Sequence, residues 1–224
     1  MNSFDARSVA ALIDHTLLKP EVGRDTIAKL CEEAQRYSFF SVCVNPMWVT
    51  ECAARLADSG VRICSVAGFP LGANITATKT HEALLCIRHG AHEIDMVLPI
   101  GALKGGQFDY VEEDIREVAD AVRGEGALLK VILETALLDD EQKRIACELA
   151  VQAGAHFVKT STGFSSQGST AHDVKLMRDT VGPEIGVKAS GGIRTLTDLR
   201  SMVEAGANRI GASASVAIIE ELGQ

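Results

Sequence analysis

Residues 155–164 read Ala155-His-Phe-Val-Lys-Thr-Ser-Thr-Gly-Phe164, and residues 186–193 read Gly186-Val-Lys-Ala-Ser-Gly-Gly-Ile193. Each stretch is a short apolar run closed by a lysine, then small hydroxyl residues and glycine. The runs have the length and apolar character of buried strands, and the tails have the composition of loops. An ammonium group is costly to bury unless it is paired or neutralised. A single lysine at a strand end could simply snorkel to solvent. The pattern is not single, however. Lys130, in Leu128-Leu-Lys-Val-Ile-Leu133, precedes Lys159 by 29 residues, the same interval that separates Lys159 from Lys188. Three lysines in phase on successive apolar strands predict a repeating βα unit whose strand ends converge on one site.

Outward from these stretches the repeat continues. Gly60, Gly90, Gly126, Gly154 and Gly206 each stand just ahead of a short apolar run and behind a helical pattern, as helix C-caps do. Gly182-Pro183 takes that part before Ile185-Gly-Val-Lys188. The predicted strands lie near 13–18, 39–44, 61–67, 93–98, 128–133, 156–160, 185–189 and 208–211. Helices are predicted near 23–36, 46–58, 75–89, 108–124, 139–152, 170–181, 195–205 and 213–222. Asp139-Asp140, Ser169-Thr170 and Thr195-x-x-Asp198 are helix start signals. Eight βα units with few long gaps predict an α/β protein, a single (β/α)8 TIM barrel over residues 1–224. A doubly wound sheet is the alternative, but no Gly-x-Gly-x-x-Gly follows the first strand. No linker, low-complexity tract or charge run divides the chain.

Composition narrows the partners. Apolar residues make up 46% of the 224 and aromatics only 4%, so the core must come mostly from Ala, Val, Leu and Ile. The net charge of −8 argues against nucleic acid and anionic membranes. An anionic substrate would need local donors. The six cysteines show no Cys-x-x-Cys and read as small buried hydrophobes of a reducing cytosol. Residues Met1 to Arg7 lack a signal-peptide core. No apolar run approaches the ~20 residues of a membrane span, so the expected location is cytoplasmic. Six histidines include no His-Glu-x-x-His and no carboxylate–histidine cluster at ligand spacing, so neither a metal nor another cofactor is expected.

In such barrels chemistry sits at the C-terminal strand ends, with phosphate on the loops after strands seven and eight. The strands offer Asp14, Cys43, Asp95, Lys130, Glu134, Lys159 and Lys188 in turn. A desolvated lysine can attack a carbonyl as the neutral amine. Thr160-Ser-Thr-Gly163, Ser190-Gly-Gly-Ile193 and Gly211-Ala-Ser-Ala214 supply backbone N–H groups and hydroxyls for an anion. Asp95, inside an apolar strand, is either a structural counter-ion for the interior lysines or a proton shuttle coupled to Lys188; both can hold. Asp14 and Glu134 are equally readable as structural. Cys43 reads as packing near the site, since no histidine is posed beside it.

With Glu-Ile-Asp95-Met-Val, Phe-Val-Lys159-Thr-Ser-Thr-Gly-Phe and Gly-Val-Lys188-Ala-Ser-Gly-Gly-Ile-Arg on the page, the chain resembles the deoxyribose-phosphate aldolases. The likeness runs nearly end to end and takes in Asp14-His-Thr-Leu-Leu-Lys-Pro20, Val42-Cys-Val-Asn-Pro46 and Gly68-Phe-Pro-Leu-Gly-Ala73. It implies a class I, metal-free aldolase on a (β/α)8 barrel that reversibly cleaves 2-deoxy-D-ribose 5-phosphate to glyceraldehyde 3-phosphate and acetaldehyde. By position Lys159 matches the Schiff-base lysine, and Asp95 with Lys188 the proton-relay pair. Thr162, Gly163, Gly191, Gly192 and Gly211 to Ser213 match the phosphate loops, and Asp14, Cys43 and Lys130 stand as site neighbours. The resemblance also implies a homodimer or homotetramer acting on small phosphosugar and aldehyde substrates. Some members carry a second serine where this chain has Ala214, which would remove one phosphate contact. Some have a longer tail ending in tyrosine; if that group moves a proton there, another group or water must do so here.

Overall fold

The computed structural model describes residues 4–223. Its strands are β1 (Ile13–Leu17), β2 (Ser41–Val44), β3 (Arg62–Ala67), β4 (Glu93–Val97), β5 (Leu128–Ile132), β6 (Phe157–Lys159), β7 (Gly186–Ser190) and β8 (Arg209–Ala212). They pair in sequence order, all parallel, and β8 closes on β1. The helices are α1 (Ala6–Ala10), α2 (Arg24–Tyr37), α3 (Val49–Leu56), α4 (Thr76–Arg88), α5 (Ile100–Lys104), α6 (Phe108–Gly124), α7 (Asp140–Gln152), α8 (Ala171–Val181), α9 (Leu196–Glu204) and α10 (Ser215–Glu220). This is the expected (β/α)8 barrel. Among the described residues no helix is long and apolar enough to cross a membrane.

Local chemistry explains the element ends. Asp139 and Thr195 each close a capping box on α7 and α9, and Thr170 accepts the Asp173 N–H at the start of α8. Such a cap contributes about 1 kcal/mol. The five glycines of the repeat all have φ between 74° and 114°, so each ends its helix where a side chain would be strained. The helix expected over 46–58 is split: Pro46–Trp48 is a 3-10 turn and α3 begins at Val49. Likewise α10 starts only at Ser215 and passes into a 3-10 turn at Glu221–Gly223. The short α1 and α5, and a 3-10 turn at Thr135–Leu137, were not expected. They are too short to establish a 3.6-residue period.

Alternation along the strands divides two interiors. Ile13, Val42, Ile63, Ile94, Leu129, Val131, Val158, Val187 and Ile210 join the helices in one apolar core. The residues alternating with them turn into the barrel, and there the filling is ionic: Asp14, Ser41, Glu93, Asp95, Lys130, Lys188 and Arg209 are all buried. A small apolar group (Leu18, Cys43, Cys64, Val66, with Phe69 against it) fills one side. The in-register pairs Asp95↔Lys130, Ile132↔Lys159 and Lys159↔Lys188 stagger the functional groups from below to the rim.

Candidate active site

Six of the interior ions form a closed ring. Asp95 Oδ1 meets Lys130 Nζ at 2.8 Å, and Lys130 meets Glu93 Oε2 at 2.6 Å. Arg209 Nη1 bridges Glu93 Oε2 at 3.0 Å and Asp14 Oδ1 at 2.9 Å. Lys188 Nζ completes the circuit, 2.5 Å from Asp14 Oδ2 and 2.8 Å from Asp95 Oδ2. Arg209 is held from beneath by the rings of Phe40 and Phe157, 3.5 and 5.3 Å from its guanidinium carbon. Three carboxylates balance three cations. Removing one partner from such a buried network costs about 3–5 kcal/mol, because the other charge is left uncompensated.

Lys159 is the cation left over. Its Nζ touches Asp95 Oδ2 at 2.7 Å, the one carboxylate it pairs with among the described residues. It is also the only lysine of the cluster lining the cavity above the strand ends, a space of about 340 Å³. Since the ring beneath is neutral without it, loss of the Lys159 proton leaves no interior carboxylate unpaired. Asp95 thus joins the free amine to Lys188 through a single oxygen, as a proton relay requires.

The electrostatics hold Asp14, Asp95, Lys130 and Lys188 ionised. Burial pushes the Asp95 carboxyl up, but Lys130, Lys159 and Lys188 together outweigh it and hold it well below the usual range. The same contest, with Lys188, Lys130 and Arg209 as the cations, holds Asp14 down. Burial pulls Lys188 down, yet Asp14 and Asp95 outweigh it and hold the ammonium above its ordinary value. Lys130 is raised in the same way, chiefly by Asp95 against burial. Cys43, Cys64 and Asp95 come within ligand distance of one another, but both Asp95 oxygens are occupied by ammonium groups.

Each residue expected at the phosphate loops lines the cavity: Thr162, Gly163, Gly191, Gly192, Gly211 and Ser213. Gly191, at φ 86°, passes so close to Gly168 that a Cβ would stand 3.0 Å from its Cα. Thr162 carries a qualification of chemistry. Its N–H and its hydroxyl both donate to Glu134, so neither proton is free for a bound phosphate. Asp14, Cys43 and Lys130, expected as substrate-site neighbours, are fully buried and do not line the cavity. Asp14 and Lys130 are ring members, and Cys43 lies in the apolar group beside Cys64.

Six cavity residues, Thr16, Leu17, Leu18, Lys19, Phe164 and Arg194, were not singled out as site residues in the sequence. Lys19 and Arg194 bring positive charge to the wall, and Leu18 and Phe164 bring apolar surface. Phe164 packs edge-on against Phe69, with ring centroids 5.4 Å apart. Lys19 could have been found from its place just past β1, and Arg194 from its place after Gly-Gly-Ile. Glu93 and Arg209 were also missed as ring members. The alternation Glu93-Ile-Asp95 was the available signal for Glu93. A larger groove of about 920 Å³ lies outside the barrel between α7, α8 and α9, away from the strand ends.

The profile of the DeoC/LacD family aldolases matches residues 8–219. The chain belongs to this family. Deoxyribose-phosphate aldolase of Bacillus cytotoxicus is 59% identical over 212 residues, 95% of either chain. That of Halalkalibacterium halodurans is 58% identical over 96% of either chain. Among solved structures, the tetrameric deoxyribose phosphate aldolase from Aeropyrum pernix superposes with a TM-score of 0.93 at 33% identity, covering 98% of this chain and 93% of that one. An aldolase designated QR15 gives 0.90 at 40% identity over 95% of either chain. Family membership accords with a barrel whose rim carries one surplus lysine amine above a neutral ion ring.

Proposed function

We propose that the chain is a deoxyribose-phosphate aldolase, a lyase reversibly cleaving 2-deoxy-D-ribose 5-phosphate to D-glyceraldehyde 3-phosphate and acetaldehyde through a Schiff base at Lys159. The carrying observation is that Lys159 alone among the interior cations both lines the cavity and lies outside the balanced ring.

The neutral Lys159 amine attacks C1 of the open-chain sugar, and loss of water gives the iminium. That cation draws the electrons of the C2–C3 bond while a base removes the C3 hydroxyl proton. Asp95 with Lys188, acting through water at the cavity floor, is suited to this step; a positioned base contributes typically 10²–10⁴-fold. Glyceraldehyde 3-phosphate leaves, the enamine is protonated at C2, and hydrolysis frees acetaldehyde and the amine. The phosphate is held by backbone N–H groups around Gly163, Gly191, Gly192, Gly211 and Ser213, with Lys19 and Arg194 supplying charge at the wall. This anchoring fixes C1 and C3 against the relay and contributes orientation. We place the enzyme in the cytoplasm as a homodimer or homotetramer, a reading supported by the tetrameric relative.

The test is acetaldehyde release from 2-deoxy-D-ribose 5-phosphate, run beside a panel of longer ketone and aldehyde donors. Turnover of the deoxysugar phosphate with little on the longer donors is expected. Preference for a ketone donor would move the chain to another Schiff-base aldolase activity.

A further inference from the structure

Cys43 and Cys64 are direct register partners on the parallel strands β2 and β3. Both are fully buried in the small apolar group inside the barrel. Their sulfurs lie within 4.8 Å of each other and of an Asp95 oxygen. Adjacent strands stand about 4.7–4.9 Å apart, inside the range of roughly 4.4–6.8 Å that a disulfide spans between Cα atoms. Both thiols are free, and the cleavage steps use neither.

The two thiols differ in what surrounds them. Cys64 Sγ donates to Asp95 Oδ1 at 3.2 Å and accepts from Lys130 Nζ at 3.4 Å. Its proton already points at a base, and an ammonium group is placed to stabilise the sulfur anion. Cys43 faces Cys64, whose bond pulls the Cys43 thiol below its ordinary value against burial. Burial, with Cys43 and Asp95, pushes Cys64 well above. A thiolate is the form that attacks a peroxide, so Cys43 reacts first and Cys64 resolves. Leu18 belongs to the same apolar group and also lines the cavity, so the pair lies next to the cavity, across Leu18.

We infer that Cys43 and Cys64 form a peroxide-sensitive thiol pair, whose oxidation to a disulfide displaces the groups around Asp95 and stops turnover reversibly. The Cys43 sulfur attacks hydrogen peroxide: an S–O bond forms, the O–O bond breaks, and the leaving hydroxide takes the Cys43 proton as water. The Cys64 sulfur then attacks the sulfenic sulfur and passes its proton to Asp95. The S–S bond forms, the S–O bond breaks, and the hydroxide released collects that proton as a second water. In all, two thiols lose two electrons and one hydrogen peroxide is reduced to two waters. The linked Cys64 no longer donates to Asp95, and its sulfur is drawn off Lys130 toward Cys43. Displacement by about 1 Å at a catalytic group costs on the order of 10²-fold in rate. Parallel neighbours hold their Cβ atoms further apart than the ~3.8 Å of a relaxed disulfide, so the bond is strained and easily reduced. Transient, redox-sensing disulfides of this kind are the ones that occur in reducing compartments. The inference rests on the aldolase reading for the role of Asp95, while the linkage itself is measured apart from activity.

In the experiment the full chain is treated with hydrogen peroxide, quenched with catalase, alkylated and digested without reduction. Cleavage of 2-deoxy-D-ribose 5-phosphate is followed on the same sample. A Cys43–Cys64 linked peptide should accumulate in step with a fall in kcat of about tenfold or more, and dithiothreitol should reverse both. Cys43→Ser and Cys64→Ala, each compared with its own untreated activity, should lose less than about twofold. Cys31→Ala, on α2 outside the barrel, should lose activity as the wild type does. Absence of the linked peptide overturns the inference. So does a linked peptide with activity retained, or a wild-type loss in either Cys43→Ser or Cys64→Ala. An untreated wild type that leaves the deoxysugar phosphate intact would instead sink the aldolase reading, a separate result.

Discussion

Replacing Lys188 with methionine keeps an unbranched side chain, one atom shorter, and removes its charge. In the structure Lys188 Nζ lies 2.5 Å from Asp14 and 2.8 Å from Asp95. At an effective dielectric of ~20, each contact is worth about 6 kcal/mol before desolvation is subtracted. The net cost of taking one partner from a buried pair is about 3–5 kcal/mol. Asp14 keeps Arg209 and Ser41, and Asp95 keeps Lys130 and Lys159, so the lower end, about 3 kcal/mol, applies. For a chain of this size that is roughly 6–12 °C in Tm. The chemical loss is larger. With Lys188 gone, the three carboxylates are balanced only when Lys159 keeps its proton, and the relay loses its cationic member. A fall in kcat of about 10²–10⁴ follows from the relay alone. The assay is cleavage of 2-deoxy-D-ribose 5-phosphate, with Tm measured on the same preparation. A folded Lys188→Met protein with kcat within about tenfold of wild type would refute the charge-balance reasoning.

Lys159→Arg should be inactive in the same assay, because a guanidinium stays protonated and cannot form the imine. In Gly211→Ala the new Cβ would stand 3.1 Å from Lys188 Cε and 3.0 Å from Ser190 Cβ. The ammonium should move off Asp95, with kcat reduced about tenfold and a folded protein by circular dichroism. Asp14 and Asp95 are held below the ordinary carboxylate range, and Lys130 and Lys188 above the ordinary lysine value. The carboxylates add stability that is present above their unfolded value of ~3.9 and is lost as pH falls through the folded values. The lysines add stability present below ~10.4 and lost as pH rises through theirs. Tm against pH should therefore be nearly level between about 4 and 10 as far as these groups determine it, and Asp14→Asn should reduce the acid-side loss.

The barrel was legible because its signals are local. A helix, a capping glycine and an apolar strand recur, and every strand was placed within two residues at either end. Short α1 and α5 escaped because five residues cannot display a period. The lysines at 130, 159 and 188 were legible as a converging set, but the ring was not. Lys188 meets Asp95 across 93 positions and Arg209 meets Asp14 across 195. Only closure of β8 on β1 brings the last pair together. Glu134 shows a different limit: it stands at the expected strand end, yet its left-handed backbone and its grip on Thr162 arise from how two neighbouring loops pack.

The most direct measurement is borohydride reduction in the presence of acetaldehyde, followed by peptide mass mapping. The reduced adduct should appear as a single N-ethyl group on Lys159, the surplus amine at the cavity. Modification of Lys130 or Lys188 in its place, or of no lysine, would contradict the account.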